Sequence, residues 1–166
     1  KIYVLRDNKL EQACDVINPL VNYTNNYHFY GTIKDISTNT MIIEYTNQFY
    51  ATGWLSWEQA YKYKGGKWVR SDGNIYKITG SINETMNKKK KWTANRKIQT
   101  YKKPGSKKKA FTVKTGTKVL IKKICFKDKQ TYLQLTLPNG KTGWIKNWKK
   151  YKSMKKDYFK ETMLAG

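Results

Sequence analysis

Thr52-Gly53-Trp54-Leu55 returns ninety residues later as Thr142-Gly143-Trp144-Ile145, and the same shift carries Tyr61-Lys62 onto Tyr151-Lys152 and Thr46 onto Thr136. With 11 Gly and 6 Trp in 166 residues, about 0.4 Gly-Trp dipeptides are expected by chance, against two found inside near-identical tetrapeptides. A chain built this way must adopt a unit that can be made twice. The ungapped shift also keeps the apolar register: Phe29-Tyr30 falls on Val119-Leu120, Ile36 on Phe126, Ile42-Ile43 on Tyr132-Leu133 and Tyr45 on Leu135. Side chains of a strand alternate between faces with period 2, so a conserved register predicts the same strand order burying the same face in both halves. At about 100 to 200 residues per domain, the length allows one ordinary domain or two small ones.

The strand pattern is clearest in the second half. Leu133, Leu135 and Leu137 alternate with Gln134 and Thr136, and Pro138-Asn139-Gly140-Lys141 then turns the chain into Thr142–Ile145. Pro138 cannot donate to a ladder and Asn139-Gly140 tolerates positive φ, which together mark a hairpin. Lys97 to Lys102 and Val119 to Phe126 read as two further strands, separated by a long polar segment. In the first half Ile2 to Arg6, Phe29 to Ile33, Met41 to Thr46 and Tyr50 to Leu55 fill the corresponding places. Ser56 is positioned to cap a helical turn through Tyr61, and Asp72-Gly73 predicts a hairpin between Trp68–Arg70 and Ile75–Ile78. Gly80 to Thr93, with the run Lys88–Lys91, reads as a solvated linker, because like charges repel and extend a chain. Trp148, Tyr151, Met154, Tyr158 and Met163 recur at helical intervals and predict a C-terminal helix packed on a neighbouring barrel.

Charge is unequally shared. Residues 1–80 carry nine Lys/Arg and seven Asp/Glu, a net +2, whereas the remainder carries 25 and four, a net +21. A general compositional bias would load both copies of a repeat, so loading one copy points to a local electrostatic role and an anionic partner. Only Arg6, Arg70 and Arg96 are arginines. An ammonium acts as a hydrated point charge, and bidentate reading of a base is the work of the guanidinium fork, so the lysines suit a repetitive polyanion better than a sequence-specific nucleic-acid site. The alternatives are a single-stranded nucleic-acid binder, since small barrels hold RNA and DNA in basic grooves with interleaved aromatics, and a protein-interaction scaffold whose lysines serve solvation.

The segment from Arg96 to Trp148 resembles the bacterial Src-homology-3-like (SH3-like) wall-targeting domains, including the related modules named for their Gly-Trp dipeptide. The resemblance rests on Tyr101-Lys102-Lys103-Pro104-Gly105, Thr115-Gly116-Thr117-Lys118-Val119 and Asn139-Gly140-Lys141-Thr142-Gly143-Trp144-Ile145. The first half departs from the pattern, with Asn25-Asn26-Tyr27 before its second strand and Phe49-Tyr50-Ala51 where the second half has Asn139-Gly140-Lys141. Taken with the repeat, the resemblance implies an all-β protein of two tandem small antiparallel barrels: a diverged SH3-like barrel in 1–80, a basic linker in 81–95, and a basic barrel with a helical tail in 96–166. It implies a Gram-positive type of envelope, a secreted or wall-associated location with the export signal removed ahead of Lys1, and attachment to teichoic acid or peptidoglycan without catalysis.

No constellation for catalysis accompanies these features. His28 is the sole histidine and has no neighbouring set of ligands in sequence, the carboxylates are scattered, and Gly65-Gly66 is an isolated pair rather than a phosphate loop. No cofactor or metal is expected. Cys14 and Cys125 are too few for a disulfide framework and read first as buried thiols. No apolar stretch approaches the roughly 20 residues needed to cross a bilayer. Trp54 and Trp144 read first as packing residues. The candidate ligand-binding residues are Tyr101, Tyr132, Trp144 and Trp148, with Lys141 and Lys146 on the adjoining hairpin.

Overall fold

The computed structural model describes residues 2–6, 9–14, 30–71, 73–147 and 156–162. Two strands, β1 (Ile2–Arg6) and β2 (Lys9–Cys14), pair as a separate antiparallel ribbon. The other strands are β3 (Tyr30–Ile36), β4 (Thr40–Phe49), β5 (Gly53–Lys64), β6 (Lys67–Arg70), β7 (Ile75–Ser81), β8 (Trp92–Thr93), β9 (Ile98–Tyr101), β10 (Lys109–Val113), β11 (Lys118–Lys127), β12 (Gln130–Thr136) and β13 (Thr142–Lys146). They form one antiparallel sheet in the order β10-β9-β13-β12-β11-β7-β5-β4-β3, with β6 beside β5 and β8 beside β11. The all-β expectation holds. Among the described residues this sheet is open and runs through both halves of the chain, rather than closing into two separate barrels.

The shift of ninety residues survives at both ends of the β3–β4 and β11–β12 ladders. Tyr30↔Thr46, Gly31↔Tyr45, Asp35↔Ile42 and Ile36↔Met41 in β3–β4 correspond one for one to Leu120↔Thr136, Ile121↔Leu135, Cys125↔Tyr132 and Phe126↔Thr131 in β11–β12. Each hairpin holds one bulge, but Lys34 and Lys122, the extra residues, are not equivalent under the shift, so Lys123↔Gln134 and Ile124↔Leu133 stand one residue out of step with Thr32↔Glu44 and Ile33↔Ile43. The equivalence fails in the next hairpin. Thr46 pairs with Ser56, but Thr136 pairs with Thr142, four residues short of the place the shift would give. Pro138 supplies the reason, since it ends β12 early, whereas β4 continues to Phe49. The two Gly-Trp dipeptides therefore do different work. Gly53 has φ +79 at the end of a tight turn, while Gly143 lies flat in a ladder, where an added Cβ would come within 2.5 Å of the Thr100 hydroxyl oxygen.

One core joins the halves. Tyr45, Phe49, Leu55 and Trp57 pack in the same buried cluster as Ile124, Phe126, Leu133 and Leu135. Phe126 touches both Trp57 and Tyr76, with ring centroids 5.3 and 5.9 Å apart, and its amide donates to the Asn74 carbonyl at 2.9 Å. The Ala51 amide donates to Asn147 Oδ1 at 3.1 Å, tying the β4–β5 turn to the end of β13.

Several local expectations change. Trp57–Tyr61 continues β5 instead of forming a helical turn, with Trp57, Gln59 and Tyr61 buried on one face while Glu58 and Ala60 turn outward. β6 and β7 both pair with β5 and not with each other, so the Trp68–Ile78 hairpin does not form. Lys109–Val113 is a strand inside what reads as a polar loop. The expected linker is partly packed: Ser81 caps a short helix, α1 (Ile82–Asn87), and Trp92 and Ala94 are buried, while Lys88–Lys91 remain exposed. The expected C-terminal helix falls mostly outside the described residues. Within it, Lys156–Thr162 carries turns and an isolated bridge from Phe159 to Ala94 rather than an α-helix.

Candidate polyanion-binding face

Four of the six candidate residues meet on adjacent strands. In an antiparallel ladder, directly opposed residues project from the same face, so a row of partners can be followed across the sheet. One row runs Lys77↔Lys123↔Gln134↔Trp144↔Tyr101 over β7, β11, β12, β13 and β9. The next runs Ile75↔Cys125↔Tyr132↔Lys146. Tyr101, Tyr132, Trp144 and Lys146 thus share one face, opposite the one on which Ile145, Leu133 and Leu135 enter the core. Lys141 stands apart in the hairpin turn, where its amide donates to Asn139 Oδ1 at 3.2 Å and Gly140 has φ +82. Trp148 lies outside the described residues.

Exposure divides this set. Trp144 is only 6% exposed and serves packing, Tyr101 and Tyr132 are half-buried, and Lys141 and Lys146 are open to solvent. The 102–108 loop folds back over the face, and a Cβ on Gly105 would lie 3.4 Å from the Tyr132 hydroxyl. Burial first, and then the Asp128 carboxylate, push the Tyr132 hydroxyl above its ordinary pKa, so it remains a neutral donor. Cys125 is a free buried thiol pushed up to about 11 by burial, which keeps it protonated and unreactive near neutrality.

Lys77 and Lys123 were not among the candidates, because nothing in the residue pattern says that β7, from the first half, will lie beside β11. They open a cleft of about 530 Å³. Beyond the Lys77↔Lys123 pair the two strands separate: β7 stays with β5 through Gly80 and Ser81, while the start of β11 is taken by β8. Leu55, Ile121 and Trp92 lie at the base of this cleft, and Lys77, Lys90, Lys122 and Lys123 line it with Glu84. A second hollow, of about 330 Å³, is lined by Lys89, Lys90, Lys91, Lys118, Thr93 and Glu161. Glu161 is engaged there, accepting from the Thr93 amide and hydroxyl at 2.7 Å each.

The described residues contain no group of three His, Cys, Asp or Glu side chains able to hold a metal ion, and no helix long and apolar enough to cross a membrane. Comparison with protein-family models, with curated proteins and with solved structures gives no match.

Proposed function

We propose that this chain is a noncatalytic binding module that holds a secreted protein at an anionic bacterial cell-wall polymer, teichoic acid or peptidoglycan. The observation that carries the reading is the +21 net charge of residues 81–166 against +2 for residues 1–80. Among the described residues, the one ion pair made by a lysine of that basic half is Lys90–Glu84, at 3.3 Å. The other described lysines of this half make no ion pair within the described residues and are available to an external partner. The fold reading that goes with this is a duplicated SH3-like unit whose copies have since merged through β7 and β11. The matching registers at both ends of β3–β4 and β11–β12 support it, and the unequal bulges and displaced second hairpin mark how far the copies have diverged.

The burial of Trp144 and half-burial of Tyr101 weigh against single-stranded nucleic acid, whose bases need open aromatic faces to stack upon. Recognition is then mainly electrostatic, with lysines supplying attraction and the partly covered tyrosines supplying hydrogen bonds. Retention on isolated cell walls should fall steeply between about 50 and 200 mM salt, as expected when a polyanion releases its counterions. Retention should also drop after teichoic acid is stripped. Equal binding to stripped and intact walls, indifferent to ionic strength, would remove the reading; capture of random RNA at comparable affinity would replace it with the nucleic-acid one.

A further inference from the structure

We infer that the cleft between β7 and β11 seats a phosphodiester of a linear polymer, so that the tightest contact lies at the junction of the two halves rather than on the β12–β13 hairpin. The inference rests on the polyanion reading and names a site within it.

Three observations converge on this place. First, Lys77 and Lys123 are direct cross-strand partners, an arrangement that like charges make unfavourable unless an anion lies between or above them. Neither has a carboxylate partner among the described residues. Second, the bulge in β11 makes both Lys122 and Lys123 exposed at the cleft, where strict alternation would turn them to opposite faces. Third, the one carboxylate in the lining, Glu84, is paired with Lys90, which leaves three uncompensated ammonium groups around the opening.

The chemistry of the lining selects the ligand. Ammonium groups act as point charges with three donors each and make no demand for planar geometry, which suits a tetrahedral phosphate. Ile78 and Leu120, half-buried in the lining, add apolar surface beside them, which suits the uncharged spacer between successive phosphates.

The test uses the full chain titrated calorimetrically with a short glycerol phosphate oligomer at low salt. It compares the double variant Lys77→Ala, Lys123→Ala with the charge-matched double variant Lys141→Ala, Lys146→Ala. The cleft variant should lose affinity about tenfold or more, since charge-assisted hydrogen bonds are lost, and the hairpin variant should lose about threefold or less. Glu84→Gln, which removes the competing carboxylate, should tighten binding. Removing opposed like charges should leave the cleft variant at least as stable as the parent, so its weaker binding cannot be ascribed to unfolding. Equal losses in the two double variants, a larger loss in the hairpin variant, or no binding of the oligomer by the parent chain would overturn the inference. If the oligomer binds in the cleft while the protein is not retained on walls, the wall reading fails and the cleft assignment stands.

Discussion

Lys129 occupies a conformation that its own side chain opposes. Asp128 and Lys129 form the two-residue β11–β12 turn with φ of +51 and +53, a left-handed geometry that hairpins ordinarily give to Asn-Gly. Lys129→Gly should therefore raise stability by roughly 0.5–1 kcal/mol in urea unfolding; the gain is partly offset by the greater freedom of glycine in the unfolded chain. An unchanged or lower midpoint would mean that the lysine makes compensating contacts. At this scale the residue pattern was informative where chemistry is local. Asn139-Gly140 announced its turn through the backbone freedom those residues have, and Gly140 takes φ +82. It misled where meaning is tertiary: Gly53 and Gly143 look alike in sequence, yet one is needed for a positive φ and the other for the close approach of Thr100.

Among the elements, the short segment Asp157–Thr162 does the work expected of a helix by other means. Phe159 is buried against Trp92 with ring centroids 5.5 Å apart, and the Asn95 and Lys160 amides exchange hydrogen bonds with the carbonyls of Tyr158 and Thr93. The Arg96 guanidinium lies 5.0 Å from the Tyr158 ring centroid, and the Thr162 hydroxyl donates to the Ala51 carbonyl at 3.1 Å. Asp157 is nearly buried, and burial raises its pKa despite the opposing pull of Arg96. Phe159→Ala should cost about 3–5 kcal/mol through the cavity it leaves beside Trp92, read as a lowered urea midpoint with a shift in tryptophan emission. A loss below about 1 kcal/mol would show that the segment is not part of the cooperative core. Strands with strict alternation or sharp turn residues were legible in sequence. β10 was not, because Lys109–Val113 pairs with β9 through backbone groups while its outward side chains read as loop.

For the whole molecule, the shared core makes separate melting of the two halves untenable. Trp57 and Tyr76 from one half close over Phe126 from the other, and hydrogen bonds from Ala51 to Asn147 and from Thr162 to Ala51 fix the turn beside them. Tryptophan fluorescence and far-ultraviolet circular dichroism should report one coincident thermal transition; two resolved transitions would show that the halves fold independently. The charge imbalance and the lysine-aromatic face could be read from composition and alternation, because both follow from which residues are present. The cleft could not, since it depends on β7, from the first half of the chain, lying beside β11, from the second. The ladder that makes this crossing is short, with only Lys123↔Lys77, Ile124↔Tyr76 and Cys125↔Ile75. A polymer seated there as proposed would load a seam of only three residue pairs, so a sustained pull on it would bear first on the join between the two halves.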